Sequence, residues 1–393
     1  MQAKTLKILV SVAIAITGLT TVGALLTSAR QPIETATQLW IAQADSQTTA
    51  LPTLSATNEI ELEVVAELPI RPSAVVKTPD GRIIWTEHFG APNPNRVHEL
   101  LPDGTFRDYP AGAQYESHAL RIDSQGVLWM LDMGGNGRLP KLIGWNTATE
   151  TLVKEIEIPA PANEPNSSMQ DFVIDESRNL VIIADTAGGS EPWQFNPALV
   201  VVDLNTGESR RLLAGHSSVQ AEPIDAIIEG QPLMITVNRE TGEQIPSRWG
   251  VNGIAIDPTY EWVYYSPMSS TSVYRISTRD LTDTNLSAEE LGRRVERYGD
   301  KNIGDGLMVD TAGNVYNTDL QYNAIGVTDA QGNYRLIRKD DELLNFTEGF
   351  EPAADGYVYV ATNQAHKSIF FQPVDSGVPP YYLLRFKPLA PAR

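Results

Sequence analysis

The sequence predicts an all-β chain folded as a six-bladed β-propeller of four-stranded antiparallel blades, the ring closed by an N-terminal strand. Three observations predict it. One strand–turn–strand pattern recurs six times. Its copies start at 73, 118, 170, 252, 305 and 348, so the spacings are 45, 52, 82, 53 and 43. Glycine (29) and proline (26) punctuate short apolar runs, as in turn-rich all-β chains.

Each copy opens on a polar and then a small or acidic residue. Three or four mostly apolar residues, a turn and an apolar–aromatic strand follow. The first runs from Ser73-Ala74 through Asp80-Gly81 and Trp85 to Glu87. The second runs from His118-Ala119 through Asp123, Gly126 and Trp129 to Asp132, and the third from Gln170-Asp171 through Asp175 and Asn179 to Asp185. The fourth spans Asn252-Gly253 to Pro267, the fifth Asp305-Gly306 to Asp319, and the sixth Glu348-Gly349 to Thr362. Asp, Asn and Gly supply the turn conformations. A lone hairpin cannot bury both faces, whereas four-stranded sheets packed radially can. The 82-residue spacing predicts one blade plus an insertion, placed within 214–249. After the sixth copy only Tyr381–Lys387 reads as a strand, so Ile60–Leu68 is expected to complete that blade. Ser287 to Tyr298 reads as a capped surface helix between blades four and five.

Ahead of the repeats, Lys4 and Lys7 precede a charge-free run from Ile8 to Ala29. Residues 1–29 therefore read as a signal peptide, with an uncleaved N-terminal anchor as the alternative. Residues 30–58, rich in Thr, Ala, Gln and Ser, read as a disordered tether, and 59–393 as the propeller. A secreted or periplasmic, monomeric protein is expected. The net charge of −19 argues against nucleic acid and anionic lipid as partners, leaving a small molecule. No cysteine is present, which excludes disulfides, thiolate metal sites and cysteine nucleophiles. No G-x-S-x-G, H-E-x-x-H or P-loop occurs, and no organic cofactor is expected.

The first residues of the six copies should ring one mouth of the central channel: Ser73, His118, Gln170, Asn252, Asp305 and Glu348, with Asp171 beside Gln170. Taken singly, an Asp or Asn before Gly reads as a strand-entry turn residue. Six polar residues at equivalent places read as a site. Asn252, Asp305 and Glu348 form an oxygen-donor set suited to a hard cation such as Ca2+. His118, Asp305 and Glu348 are the acid–base candidates, and Ser73, Gln170, Asp171 and Asn252 the ligand contacts. Trp85, Trp129, Tyr264, Tyr316 and Tyr359 read as packing between blades, and His88, His98, His216 and His366 as surface or loop. Asp132, Asp185 and Asp319 read as turn formers closing their hairpins.

Several segments also resemble a known family. Leu128-Trp129-Met130-Leu131-Asp132-Met133-Gly134 resembles the L-W-V-L-D-x-G segment of the major royal jelly and Yellow proteins. Residues 170–175 resemble their N-D-[LF]-V-V-D, and residues 264–275 their Y-Y-S-P-L-S-S-x-x-L-Y-x signature. Residues 294–301 and 318–325 are similar to the bacterial branch. The resemblance covers about residues 60–388. It implies a secreted six-bladed propeller, with dopachrome isomerisation or the binding of small amines and other ligands as family activities. A more distant resemblance is to gluconolactonase-type calcium propellers, through Asn252-Gly253 and Asp305-Gly306. Their glutamate lies in the first blade; here Glu348-Gly349 lies in the sixth and Ser73-Ala74 in the first. The expectation is a tautomerase-like or lactonase-like enzyme acting on a small cyclic or quinonoid metabolite. The alternative is a non-catalytic ligand-binding protein.

Overall fold

The computed structural model describes residues 54–89, 91, 96–112, 115–135, 137–187, 196–238 and 240–393. The expectations for residues 1–29 and for most of the tether lie outside the described residues. Residues 56–393 form one compact unit. Thr57 and Glu59 already donate backbone hydrogen bonds to Leu336 and Ile337, so propeller contacts begin just before residue 59.

Six four-stranded antiparallel sheets make up the ring. Blade one is β2 (Pro72–Lys77), β3 (Ile83–Glu87), β4 (Val97–Leu100) and β5 (Phe106–Asp108). Blade two is β6 (Ala119–Ile122), β7 (Val127–Asp132), β8 (Lys141–Asn146) and β9 (Thr151–Glu157). Blade three is β10 (Met169–Asp175), β11 (Leu180–Asp185), β12 (Ala198–Asp203) and β13 (Ser209–Leu212). The insertion follows as two hairpins, β14 (Ile227–Ile228) with β15 (Gln231–Pro232), and β16 (Met234–Asn238) with β17 (Glu243–Pro246). Blade four is β18 (Val251–Ile256), β19 (Trp262–Pro267), β20 (Ser272–Ser277) and β21 (Glu296–Asp300). Blade five is β22 (Gly304–Val309), β23 (Val315–Asp319), β24 (Ala324–Thr328) and β25 (Tyr334–Lys339). Blade six holds β26 (Thr347–Pro352), β27 (Val358–Thr362) and β28 (Tyr381–Phe386), and its outer strand is β1 (Glu63–Leu68). Each innermost strand packs on the next, from β2 through β6, β10, β18, β22 and β26 and back to β2.

The expected closure is present: β1 pairs antiparallel with β28, Leu68 opposite Tyr381. Leu68 is buried with Val75, Trp85, Tyr359 and Leu383, so it joins the first and last blades. Leu68→Ala is expected to cost about 2–4 kcal/mol, read as a lower urea midpoint at unchanged slope.

One expectation is corrected. The helix covers only Ala288–Gly292, with a Ser287–Glu290 capping box. Glu296–Asp300 is instead the outer strand of blade four, so the helix lies within that blade and not after it. The blade needs its fourth strand, and that pairing overrides the local helical signal. The predicted packing aromatics Trp85, Trp129, Tyr264, Tyr316 and Tyr359 are all buried.

Candidate functional site

Five of the six inner strands carry a β-bulge at their start. The register shifts at Pro72/Val75, Met169/Asp171, Val251/Gly253, Gly304/Leu307 and Thr347/Phe350. A bulge leaves a residue unpaired and turns its side chain. These bulges hold Ser73, Gln170, Asn252, Asp305 and Glu348. Their freed N–H groups find local acceptors: Thr86 Oγ1 accepts from Ala74, and Thr318 Oγ1 accepts from both Asp305 and Gly306. The glycines after Asn252 and Asp305 serve close approach of strands. A Cβ on Gly253 would sit 2.8 Å from the Asp305 carbonyl, and one on Gly306 2.5 Å from Gly349 Cα.

The seven expected residues do gather. Ser73, His118, Gln170, Asp171, Asn252, Asp305 and Glu348 line one small cavity of about 30 Å3. His118, Gln170, Asn252, Asp305 and Glu348 also floor a second, about 40 Å3, nearer the mouth. Asn252 Nδ2 donates to Asp305 Oδ1 at 2.5 Å. Asp305 and Glu348 share a hydrogen bond. Asn363 Nδ2 donates to Glu348 Oε1 at 2.6 Å. Asp171 accepts from Arg121 Nη2 at 2.7 and 2.9 Å.

Burial and mutual repulsion set the proton count. Burial, then the Asp171 carboxylate, pushes Asp305 up to about 7. Burial and the Asp305 charge raise Glu348 well above the usual carboxylate range. Lys301 and Asn252 favour charge on Asp305, so Glu348 keeps the proton and Asp305 accepts from it. Burial lowers His118 to about 4, leaving a neutral imidazole at pH 7. Its Nδ1 is buried without a partner among the described residues. A neutral imidazole is a poor proton donor at that pH.

The second cavity shows what the repeats did not. Its walls and roof are His88, Phe89, Trp249, Phe346, Phe370 and Phe371. Phe370 meets Phe89 edge-on at 4.4 Å and stacks with Trp249 at 6.0 Å. Of the histidines expected at the surface or in loops, His88 and His366 lie on connections and His98 on β4, and all three are buried. His98 pairs with Glu87 at 2.7 Å, and His88 Nε2 lies 3.7 Å from Glu348 Oε1. Only the place of His88, directly after the first hairpin, could have signalled it.

A cation site was expected at Asn252, Asp305 and Glu348. The donors are hard oxygens of the right kind, and here a proton joins the two carboxyls. Among the described residues no three His, Cys, Asp or Glu side chains converge on one metal position.

Arg121, Phe350 and Glu351 separate this mouth from a larger cavity of about 270 Å3 at the far end of the channel. Apolar residues, among them Ile122, Val173, Ile256 and Met308, dominate its walls. Glu351, 4% exposed, sits at its floor with Arg121 Nε 3.5 Å away. Burial pushes Glu351 up to about 7, against the pull of Arg121 and Arg393. The unfolded chain loses this proton near the ordinary glutamate value of about 4.3, the folded chain only near 7. Stability is therefore lost as pH rises through that window, by roughly 3 kcal/mol. Glu351→Gln is expected to gain that much relative to the parent between pH 4.5 and 7.5, measured as paired urea midpoints.

Residues 117–374 match the family model described as Major royal jelly protein. The chain belongs to the major royal jelly protein family. Relatives of this family member include Protein yellow of Drosophila yakuba, 25% identical over 272 residues, 63% of this chain and 48% of that protein. Protein yellow of Drosophila subobscura is 24% identical over 290 residues, 68% of this chain and 48% of the relative. The chain thus spans about half the length of the curated relatives it matches. Among solved structures, a calcium-binding regucalcin from Agrobacterium tumefaciens aligns with TM-score 0.55 at 17% identity, covering 86% of this chain and 98% of its own. A gluconolactonase from Xanthomonas campestris aligns with TM-score 0.52 at 12% identity, covering 84% and 89%. At such identities the likeness is one of fold.

Proposed function

We propose that this family member is an exported enzyme that moves protons on a small cyclic or quinonoid metabolite at the channel mouth. The observation that carries the reading is the Asp305–Glu348 pair: two hydrogen-bonded carboxyls holding one proton beneath a roof of aromatic rings. Export is supported by the basic start and apolar run of residues 1–29.

In a tautomerisation the substrate replaces the bond between the two carboxyls. Asp305, whose proton affinity lies near operating pH, takes the proton from the substrate C–H as that bond breaks. Glu348 gives its proton to the carbonyl oxygen. The pair ends with the same single proton, moved from one carboxyl to the other. Flat rings on Phe89, Phe370 and Trp249 suit a planar substrate by stacking. Neutral His118 offers a further hydrogen bond, and Gln170 and Asn252 supply amides for orientation.

A divalent cation would be held by Asp305, Glu348 and the amide oxygen of Asn252, where it would polarise an ester carbonyl for lactone hydrolysis. It would replace the shared proton, so binding should strengthen as pH rises.

The test is turnover by the purified protein of dopachrome and of small lactones, each with calcium and with chelator. Proton transfer without metal predicts quinonoid turnover that chelator leaves intact. Turnover only of lactones and only with calcium would replace it with the metal reading. Saturable binding of these compounds with no turnover would leave a ligand-binding protein.

A further inference from the structure

The cavity above the carboxyl pair holds about 40 Å3. That is room for a few waters, whereas sites for small organic ligands run to about 300 Å3 and more. A metabolite can reach Glu348 from this side only if part of the roof moves. The segment best placed to move is 363–380, which joins β27 to β28 and takes no part in the six sheets.

This segment reaches over the mouth and inserts Phe370 and Phe371 into the cavity. Side-chain ties hold it to the propeller. Arg71, 5% exposed, donates Nη1 and Nη2 to the Asp375 carboxylate at 2.6 and 2.7 Å. Lys367 Nζ donates to Glu229 of the insertion at 2.9 Å. Gly377 is fixed by the first tie: a Cβ there would fall 1.7 Å from Arg71 Nη2. Val374 and Val378, on either side of Asp375, are 74% and 68% exposed, so around the latch itself few apolar contacts resist lifting, and the apolar anchorage of the segment is the Phe370–Phe371 plug.

The same arginine reaches the carboxyl pair. Arg71 Nε donates to the carbonyl oxygen of Asn363 at 3.0 Å. The Asn363 amide donates to Glu348 Oε1 and, at 2.8 Å, to the Pro72 carbonyl, while its Oδ1 accepts from Ala365 N. Asn363 is thus fully engaged, and its orientation is set by the residues at the root of the segment. Besides Asn363, Glu348 is faced by Asp305, His88 and Asp171.

We propose that residues 363–380 are a lid over the mouth, latched by Arg71 on Asp375, and that Arg71 acting through Asn363 is a positioning residue for Glu348. The role of Glu348 rests on the acid–base reading above, whereas the lid stands on the geometry alone. Opening the latch lifts the aromatic plug and lets water reach Glu348. Closing it shuts water out and holds the carboxyl in one place. A bidentate charged pair has more to lose than an ordinary surface contact, so the latch should dominate the lid equilibrium.

The test uses the full chain with Asp375→Ala, Asp375→Glu and Lys367→Met. Hydrogen exchange is followed by mass spectrometry, and the Glu348 carboxyl is titrated by carbon NMR. In Asp375→Ala, amides of 364–379 should exchange about tenfold faster, with β26 and β27 unchanged. Burial is the largest cause of the high proton affinity of Glu348, so its titration midpoint should fall by about one pH unit. Lys367→Met should move both readouts the same way by less, and Asp375→Glu should restore the parent behaviour. Unchanged exchange in Asp375→Ala would overturn the lid. Faster exchange with an unmoved Glu348 midpoint would overturn the positioning role. Neither readout requires turnover, so a failure of the catalytic reading would be seen separately.

Discussion

If Asp305 is the base of the proposed proton transfer, Asp305→Asn is expected to lower turnover by about 10²- to 10⁴-fold while leaving ligand affinity within a few-fold. The change keeps the shape of the side chain. Asn252 loses a charged acceptor, but the amide still has an oxygen to offer it. What disappears is the one member of the pair able to take a proton near pH 7. The repulsion that raises Glu348 disappears with it, so Glu348 should ionise at lower pH than in the parent. Two readouts follow. The rate should lose its ionisation limb near pH 7, and the ligand should still bind. A variant that keeps the parent rate and pH profile would remove Asp305 from the chemistry and leave the mouth as a binding site. Glu348→Gln is the complementary change: it removes the donated proton and the O–H that favours charge on Asp305, so the base limb should move to higher pH.

The ring of polar strand starts was legible in the sequence because repetition exposes it. Six copies place six side chains at equivalent points, and a four-stranded blade fixes which strand is innermost. The ring closure was legible from a deficit, since Tyr381–Lys387 alone could not complete a sheet. Other parts of the site come from segments that do not repeat. His88 and Phe89 follow β3, Trp249 ends the insertion, and Phe370 and Phe371 sit on the connection before β28. Each was an isolated aromatic or imidazole in a loop, with no periodic partner to mark it. Arg121 was hidden differently. In His-Ala-Leu-Arg-Ile-Asp only the first residue of the strand marked the site, yet Arg121 further along spans the channel between Asp171 and Glu351. The contact between Asp305 and Glu348 joins neighbouring blades across 43 residues, and only the bulges aim the two carboxyls at one another. The helix after Ser287 was placed from a true cap, but its length was not, because pairing of β21 with β20 claims Glu296–Asp300.

Asp185→Ala is expected to carry the largest stability cost of any change named, about 3–5 kcal/mol, without touching the mouth cavity. Asp185 was read as a turn former closing its hairpin, and it does that. Oδ1 accepts from Ser168 N at 2.7 Å and Ala187 N at 3.0 Å, which satisfies backbone donors at the end of β11. It is also one half of a buried ion pair. Its carboxylate is fully buried, and Oδ2 takes Ser167 Oγ at 2.6 Å and the guanidinium of Arg211. The Arg211 side chain is itself only 6% exposed. Removing the carboxylate leaves that guanidinium buried, with Glu164 at 3.4 Å as the nearest remaining carboxylate. An uncompensated buried charge costs more than the lost hydrogen bonds alone. At roughly 2 °C per kcal/mol for a chain of this size the melting temperature should fall by about 6–10 °C. Asp132 supplies the control at the same place in blade two. It accepts from Gly134 N at 2.8 Å and pairs with Arg138, whose side chain is 48% exposed and stays hydrated when the partner is lost. Asp132→Ala should therefore cost only about 1–2 kcal/mol. Adding Arg211→Met to Asp185→Ala should recover part of the loss, since no charge is then left stranded. Equal melting temperatures for Asp185→Ala and Asp132→Ala would show that the turn bonds, and not the buried charge, account for the difference from the parent.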